Sequence, residues 1–220
     1  MIEANLGASI DIHVGGIDLI FPHHENEIAQ SETAHDHPLA RYWLHNGHVT
    51  MDAEKMSKSL GNVVLTHDLL KTWPGEVLRW ALLSAHYRAP LDFTDGLLAQ
   101  SKASLDRHYG ALERVKHIPE TPAAAPAEFS EALHDDLNTP KAMAELAAIV
   151  TALNSAKDDA ARARHKGELL AAGRLIGLLG ADPETWLKGA GDDSAEIDRL
   201  VAARVEARRA KNFAEADRLR

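Results

Sequence analysis

A chain of 220 residues, 45% hydrophobic and 26% charged, has the composition of a globular protein, and its length suits one moderate α/β domain with a helical appendage, two units in all. No apolar run approaches the ~20 residues that span a bilayer, and "MIEANLGASI" has neither a basic start nor a long apolar core, so neither a membrane span nor a secretory signal is expected and the cytoplasm is the expected compartment. A net charge of −9 excludes a protein that wraps nucleic acid with its whole surface, although residues 199–220 hold seven basic side chains against three acidic ones, a local +4.

Residues 9–14, "SIDIHV", alternate and run into Gly15 and Gly16, which predicts a strand stopped at a glycine turn. Pro22 suits the first turn of a helix over "HHENEIAQSETAH". "YWLHNGHVTM", residues 42–51, is aromatic and β-branched and predicts a second strand. After the loop "EKMSKSLGN", Thr66 is placed to cap a helix, with Leu65 and Leu70 as its hydrophobic staple. Strand, helix, strand, helix in this order reads as about half of a parallel α/β sheet.

Beyond residue 90 the pattern is helical. Thr94 caps a run with Leu98, Leu105, Leu112 and Val115 on one face, and "ETPAAAPAE", residues 120–128, is a linker by composition. Thr139 and Pro140 start a helix with Met143, Leu146, Ala147, Val150 and Leu153 inward. Another is expected from Leu169 to Leu179, stopped by Gly180. After the acidic loop "GADPETWLKGAGDDSAE", the stripe Ile197, Leu200, Val201, Val205 opens a last helix, and the chain stops inside that pattern.

His23 and Glu27 are four apart on the predicted helix and project from one face, as two ligands of one metal ion do, and nitrogen with carboxylate suits zinc; two ligands are not a complete site, and by themselves they read equally as the polar face of a surface or core-edge helix. A zinc-protease reading of His24-Glu25 fails because the second histidine position of H-E-x-x-H is Ile28. "HNGH", residues 45–48, has the shape of a nucleotide signature but lies in a strand rather than at a helix N-terminus, so His45 and His48 are assigned structural roles. Lys55 and Lys58, with Ser57, Ser59 and Gly61, form a loop that can close over a triphosphate and neutralise charge as pyrophosphate departs.

"DIHVGGIDLIFPHHENEIAQSE", "YWLHNGH", "EKMSKSLGN", "LLSAHYRAPLDF" and "DDLNTP" resemble successive blocks of the cysteinyl-tRNA synthetases, and the likeness covers essentially the whole chain. The resemblance implies an α/β fold class: the C-terminal half of a class I synthetase Rossmann-type catalytic fold over residues 1–89, then a helical stem (90–120), a small helical domain (121–180) and the start of an anticodon-side region (181–220). It implies one zinc ion that binds the thiolate of substrate cysteine, with His23 and Glu27 among its ligands and two cysteine ligands absent from this cysteine-free chain. Gly16 and Asp18 match the element that holds the ATP ribose, with His13 beside the same pocket, and Lys55 and Lys58 match the catalytic loop, Lys58 on the phosphates. Val14 departs from the family's glycine and would crowd backbone approaching adenine.

The activity so implied is cysteine–tRNA ligation: activation of cysteine by ATP with magnesium, then transfer to tRNA(Cys), by a monomer with no membrane partner. The chain reads as an internal and C-terminal piece of such an enzyme, inactive by itself. The alternatives are a related ligase that joins cysteine to an amino sugar in mycothiol synthesis, and a non-catalytic remnant that keeps only tRNA or protein contacts.

Overall fold

A short helix, α1 (Ile2–Leu6), precedes strand β1 (Ile10–Gly16), in which the two-residue period of Ile10, Ile12 and Val14 is read out directly. Helix α2 (Glu25–His35) then crosses to β2 (Ala40–Asn46), which pairs with β1 in parallel, His13 opposite Trp43 and Gly15 opposite His45. The computed structural model describes residues 2–51, 54–55, 64–189, 194–209, 212, 217 and 218. Tight helical turns over Ile17–Leu19 and Ile20–His24 lead into α2; Phe21 alone keeps an extended backbone there, so the helical course is taken up from Pro22 and continues as α2, and the Phe21–Pro22 peptide is cis.

The single strand expected over residues 42–51 is two strands in two sheets. β3 (Val49–Met51) pairs antiparallel with β4 (Glu54–Lys55) and parallel with β5 (Leu91–Asp92). Gly47 is the break. Its N–H donates to the Tyr87 carbonyl at 2.7 Å, and a Cβ there would lie 2.3 Å from the Ala89 carbonyl oxygen, so backbone packs directly on backbone. The Thr66 cap does not form either. α3 (Thr66–Leu69) is one turn entered through Leu65, with no side-chain cap, and Leu65 and Leu70 are exposed. Shifting the cap by one residue moves the apolar pair to Val64 and Leu69, which line a hollow with Val49, Leu78 and Phe93.

The core lies in the helices: α4 (Gly75–Leu83), α5 (Asp95–Arg114), α6 (Ala127–His134), α7 (Thr139–Ser155), α8 (Asp159–Leu175) and α9 (Pro183–Lys188). Thr94 caps α5 by accepting from the Leu97 N–H, and Leu98, Leu105, Leu112 and Val115 are buried as their spacing predicts. α7 starts at Thr139 and Pro140 as expected, capped by Asn138, and Ala142 and Ile149 complete its inward face while Ala147 is exposed. α8 starts at its Asp158 cap, well before Leu169, because its first turns are charged and carry no apolar period; Gly177 and Leu179 at positive φ end it, not Gly180. α9 stands inside the predicted acidic loop, capped by Asp182, and buries Trp186. α10 (Ser194–Arg209) leaves Val201 and Val205 exposed. No described helix is long and apolar enough to cross a membrane.

Two polar clusters tie these elements together. Glu76 accepts from the Tyr109 hydroxyl at 2.6 Å and from the Leu179 N–H, and the Tyr109 oxygen accepts from the Ala181 N–H at 3.0 Å. Tyr109 is fully buried on Trp186, and burial, reinforced by the Glu76 carboxylate, pushes its phenol up. At the second cluster Arg88 clasps Asp136 through Nε at 2.7 Å and a terminal nitrogen at 3.2 Å, while Tyr87 donates to the same carboxylate at 2.7 Å. Thr139 adds a hydroxyl contact to the Ala85 carbonyl at 3.3 Å.

The Arg88 fork and the Tyr87 hydroxyl hold the Asp136 carboxyl down, from 3.8 to about 2. A folded value below the unfolded one means that the contact stabilises the fold above the unfolded pKa and loses that contribution as pH falls through the folded one. Asp136→Asn keeps a residue tolerant of the left-handed backbone at this position (φ 53) while removing the charge. The stability gap between the two proteins, measured by urea denaturation, is expected to be flat from about pH 5 to 7 and to close between about pH 4 and 2. A gap that does not change with pH would show that the carboxylate charge contributes nothing.

Candidate functional site

Strand alternation and parallel register place His13 and Gly15 of β1 beside Trp43 and His45 of β2 on one face, and the segment entering α2 folds back over that face. Gly15 makes the approach possible. A Cβ there would lie 2.6 Å from Cε1 and 2.7 Å from Nε2 of His24, so the imidazole occupies the space that a side chain would fill. His24 is only 3% exposed, with ring centroids 4.9 Å from His13, 5.2 Å from Trp43 and 5.0 Å from His45.

The polar contacts converge on Glu27. One carboxylate oxygen lies 2.7 Å from His13 Nε2, and the other lies 3.5 Å from His23 Nε2. Behind them His24 Nδ1 and His45 Nε2 are 2.8 Å apart, one donating and the other accepting. Burial, with His13 and His45 adding to it, pushes the His24 imidazole down and favours the neutral form, in which one ring nitrogen carries the proton and the other a lone pair. Ligand atoms of His13, His24 and Glu27 all lie within 4.8 Å of one another. The His23–Glu27 pair has the spacing of two zinc ligands: two atoms bound about 2.1 Å from one tetrahedral ion stand about 3.4 Å apart, against 3.5 Å here, whereas His13 Nε2 lies at hydrogen-bond distance from the carboxylate.

His23 and Glu27, expected to share a helix face, are thus adjacent, with His23 in the helical turn Ile20–His24 that runs into α2. His13, expected beside the nucleotide element, sits on Glu27. Gly16 ends β1 and Asp18 follows in a tight turn; a Cβ on Gly16 would lie 2.6 Å from an Asp18 carboxylate oxygen. Val14 points to the face opposite the histidines and is exposed. Lys55 pairs through its backbone with Thr50, while Lys58, Ser57, Ser59 and Gly61 lie outside the described residues. His48 offers its carbonyl to the Leu91 N–H. Two site residues escaped the sequence reading: His24, and His45, which was assigned a structural role. A glycine inside a strand pattern, Gly15, was the signal that something approaches closely there.

The family model described as "tRNA synthetases class I (C) catalytic domain" matches residues 1–103, and that of the "DALR domain" matches residues 128–180. A cysteine–tRNA ligase of Parvibaculum lavamentivorans is 58% identical over 227 aligned positions, covering 100% of this chain and 48% of that protein. One from Caulobacter vibrioides is 55% identical over 227 positions, covering 100% and 49%. The chain therefore spans about half the length of the curated relatives it matches. The Agrobacterium radiobacter K84 agnB2 LeuRS, solved as a ternary complex with tRNA and LeuAMS, superposes with a TM-score of 0.61 over 81% of this chain and 27% of that one, at 19% identity, which is a likeness of fold.

If the Gly15–His24 contact sets the geometry, Gly15→Ala must displace the imidazole. The substitution is expected to cost about 1–3 kcal/mol in urea denaturation, as overpacking does. It should also break the His24–His45 pairing in imidazole nitrogen spectra. Unchanged spectra would mean that His24 is held by something other than the glycine gap.

Proposed function

We propose a function for this chain on the premise that it belongs to the cysteine–tRNA ligase family of class I tRNA synthetases: it supplies the zinc-binding helix, part of the nucleotide site and the helical tRNA-facing segment of an enzyme that activates cysteine with ATP and magnesium and transfers it to tRNA(Cys). The observation that carries the reading is the placement of His23 and Glu27 at the spacing of two ligands of one tetrahedral ion. Zinc so held would bind the thiolate of cysteine and discriminate against the hydroxyl of serine, a poor soft ligand.

The surrounding residues act on those two. His13 fixes the Glu27 carboxylate from behind, an outer contact that sets which oxygen faces the ion. His24, neutral and wedged against Gly15, holds the chain at the entry to α2 and so holds His23 in place. Gly16 and Asp18 stand where the strand ends, suited to accept a ribose hydroxyl on the Asp18 carboxylate. Lys55 and Lys58 would neutralise charge that grows as pyrophosphate leaves, Lys58 the more directly. The basic side chains Arg204, Arg208 and Arg209 of α10 suit an RNA backbone.

Zinc is expected to bind this chain weakly, because one histidine and one carboxylate leave at least two positions to water. Calorimetric titration should show that His23→Ala and Glu27→Ala each abolish the signal. Tight binding indifferent to both would put the metal elsewhere among the thirteen histidines.

In a full-length ligase containing this segment, Lys58→Ala should lower the adenylation rate by roughly two to three orders of magnitude, with little change in cysteine affinity, since a preorganised charge on the departing pyrophosphate acts mainly in the transition state. ATP–pyrophosphate exchange with single-turnover activation measures it. Parental exchange in Lys58→Ala together with loss in Lys55→Ala would reverse the two roles.

A further inference from the structure

A cleft of about 430 Å³ opens between α5 and α7, with Trp80 of α4 in its wall, far along the fold from the histidine site. Its volume is in the range of small-molecule sites. Gly110, in the interior of α5 where glycine weakens a helix relative to alanine, and Ala147 of α7 keep it wide.

His108 lines this cleft and is 3% exposed. Its Nδ1 lies 2.7 Å from the Ser104 carbonyl oxygen one turn back; a carbonyl only accepts, so Nδ1 carries the proton and Nε2 presents a lone pair. Among the described residues Nε2 has no hydrogen-bond partner. Burial pushes the imidazole down and keeps this neutral form at pH 7. Buried polar atoms in folded proteins are nearly always satisfied, so this one takes an N–H or O–H donor from water or from a molecule bound in the cleft. The ring meets the Trp80 indole edge-on, with centroids 5.0 Å apart.

The mouth of the cleft is cationic. Arg114 donates to the Asn154 amide oxygen at 2.8 Å across it, and Arg107 rests on the Ser104 hydroxyl at 3.0 Å. The carboxylate that also borders it, Asp106, is taken up by Lys102 at 2.6 Å and the Trp186 indole N–H at 2.8 Å. Arg114 and His108 are separated by six residues of one helix, about 9 Å along its axis.

We propose that this cleft binds a nucleotide, with the phosphate on Arg107 and Arg114 and the base against Trp80, an N–H of the base directed to Nε2 of His108. A guanidinium fork matches phosphate oxygens, every base carries an N–H on its pairing edge, and the aromatic wall suits a planar ring. An inorganic anion would satisfy the arginines and leave His108 unpaired. A purely apolar ligand would satisfy neither. The nucleotide can be free, or it can be an unpaired nucleotide of an RNA; the second source rests on the tRNA reading above.

The test follows the imidazole nitrogens of the chain by NMR while AMP, CMP, GMP, UMP, inorganic phosphate or a short single-stranded RNA is added. A nucleotide or the RNA should move the His108 Nε2 resonance toward its hydrogen-bonded position, whereas inorganic phosphate should not. Arg107→Gln with Arg114→Gln, both on the exposed rim, should weaken the effective ligand at least tenfold with thermal stability unchanged. His108→Phe should weaken it as well. A response to free nucleotides identifies a nucleotide site, and a response to RNA alone identifies an RNA contact. No response to either, a response to phosphate as large as that to nucleotide, or indifference to the double arginine change would overturn the proposal. None of these failures touches zinc binding or pyrophosphate exchange, which judge the ligase reading separately.

Discussion

The α/β layer joins the helical core at a corner where the Gly47 N–H reaches the Tyr87 carbonyl, the next residue, Arg88, clasps Asp136, and β3 pairs with β5. β1 and β2 contribute little to the apolar core, which runs from Val77 to Trp186 with Phe93. The position of the histidine site relative to the helices therefore depends on this corner. A lone surface ion pair is worth little and is screened by salt. The contact of Gly47 with the Ala89 carbonyl is steric, however, and salt leaves it alone; the arginine fork serves to hold the turn in the shape that the steric contact requires.

Within the site the same division of labour recurs. His24, buried and neutral, wedges into the gap left by Gly15 and adds no positive charge beside the Glu27 carboxylate, which His13 and His23 already face. Four imidazoles could repel one another if all were protonated. Keeping one of them buried and neutral, hydrogen-bonded to a second, limits that repulsion.

Local periodicity was enough to read β1, the helix that follows it, the Thr94 cap and the inward stripe of α5, because each depends on neighbours within one or two turns. The pairing of His23 with Glu27 belongs to that class. His24 and His45 do not: their meeting needs the parallel register that sets Gly15 opposite His45, and no local pattern states which strands are partners. Gly47 splitting one aromatic run into two sheets is likewise a tertiary fact, visible only once the Ala89 backbone is brought against it. The early start of α8 was hidden for another reason, since its first turns face solvent and carry charge in place of an apolar stripe. The lysine loop that the resemblance makes central to catalysis lies, beyond Lys55, outside the described residues.

The β1–β2 ladder has a consequence for the chain in solution. Among the described residues it is a two-stranded sheet, and Ile12, Val14, Tyr42 and Phe21 around it are exposed. Each strand keeps one outer row of N–H and C=O groups open to another strand, beside apolar side chains that gain by being covered. Among the described residues, then, both outer edges of the strands that carry the histidine cluster can be extended by further strands of the same sheet.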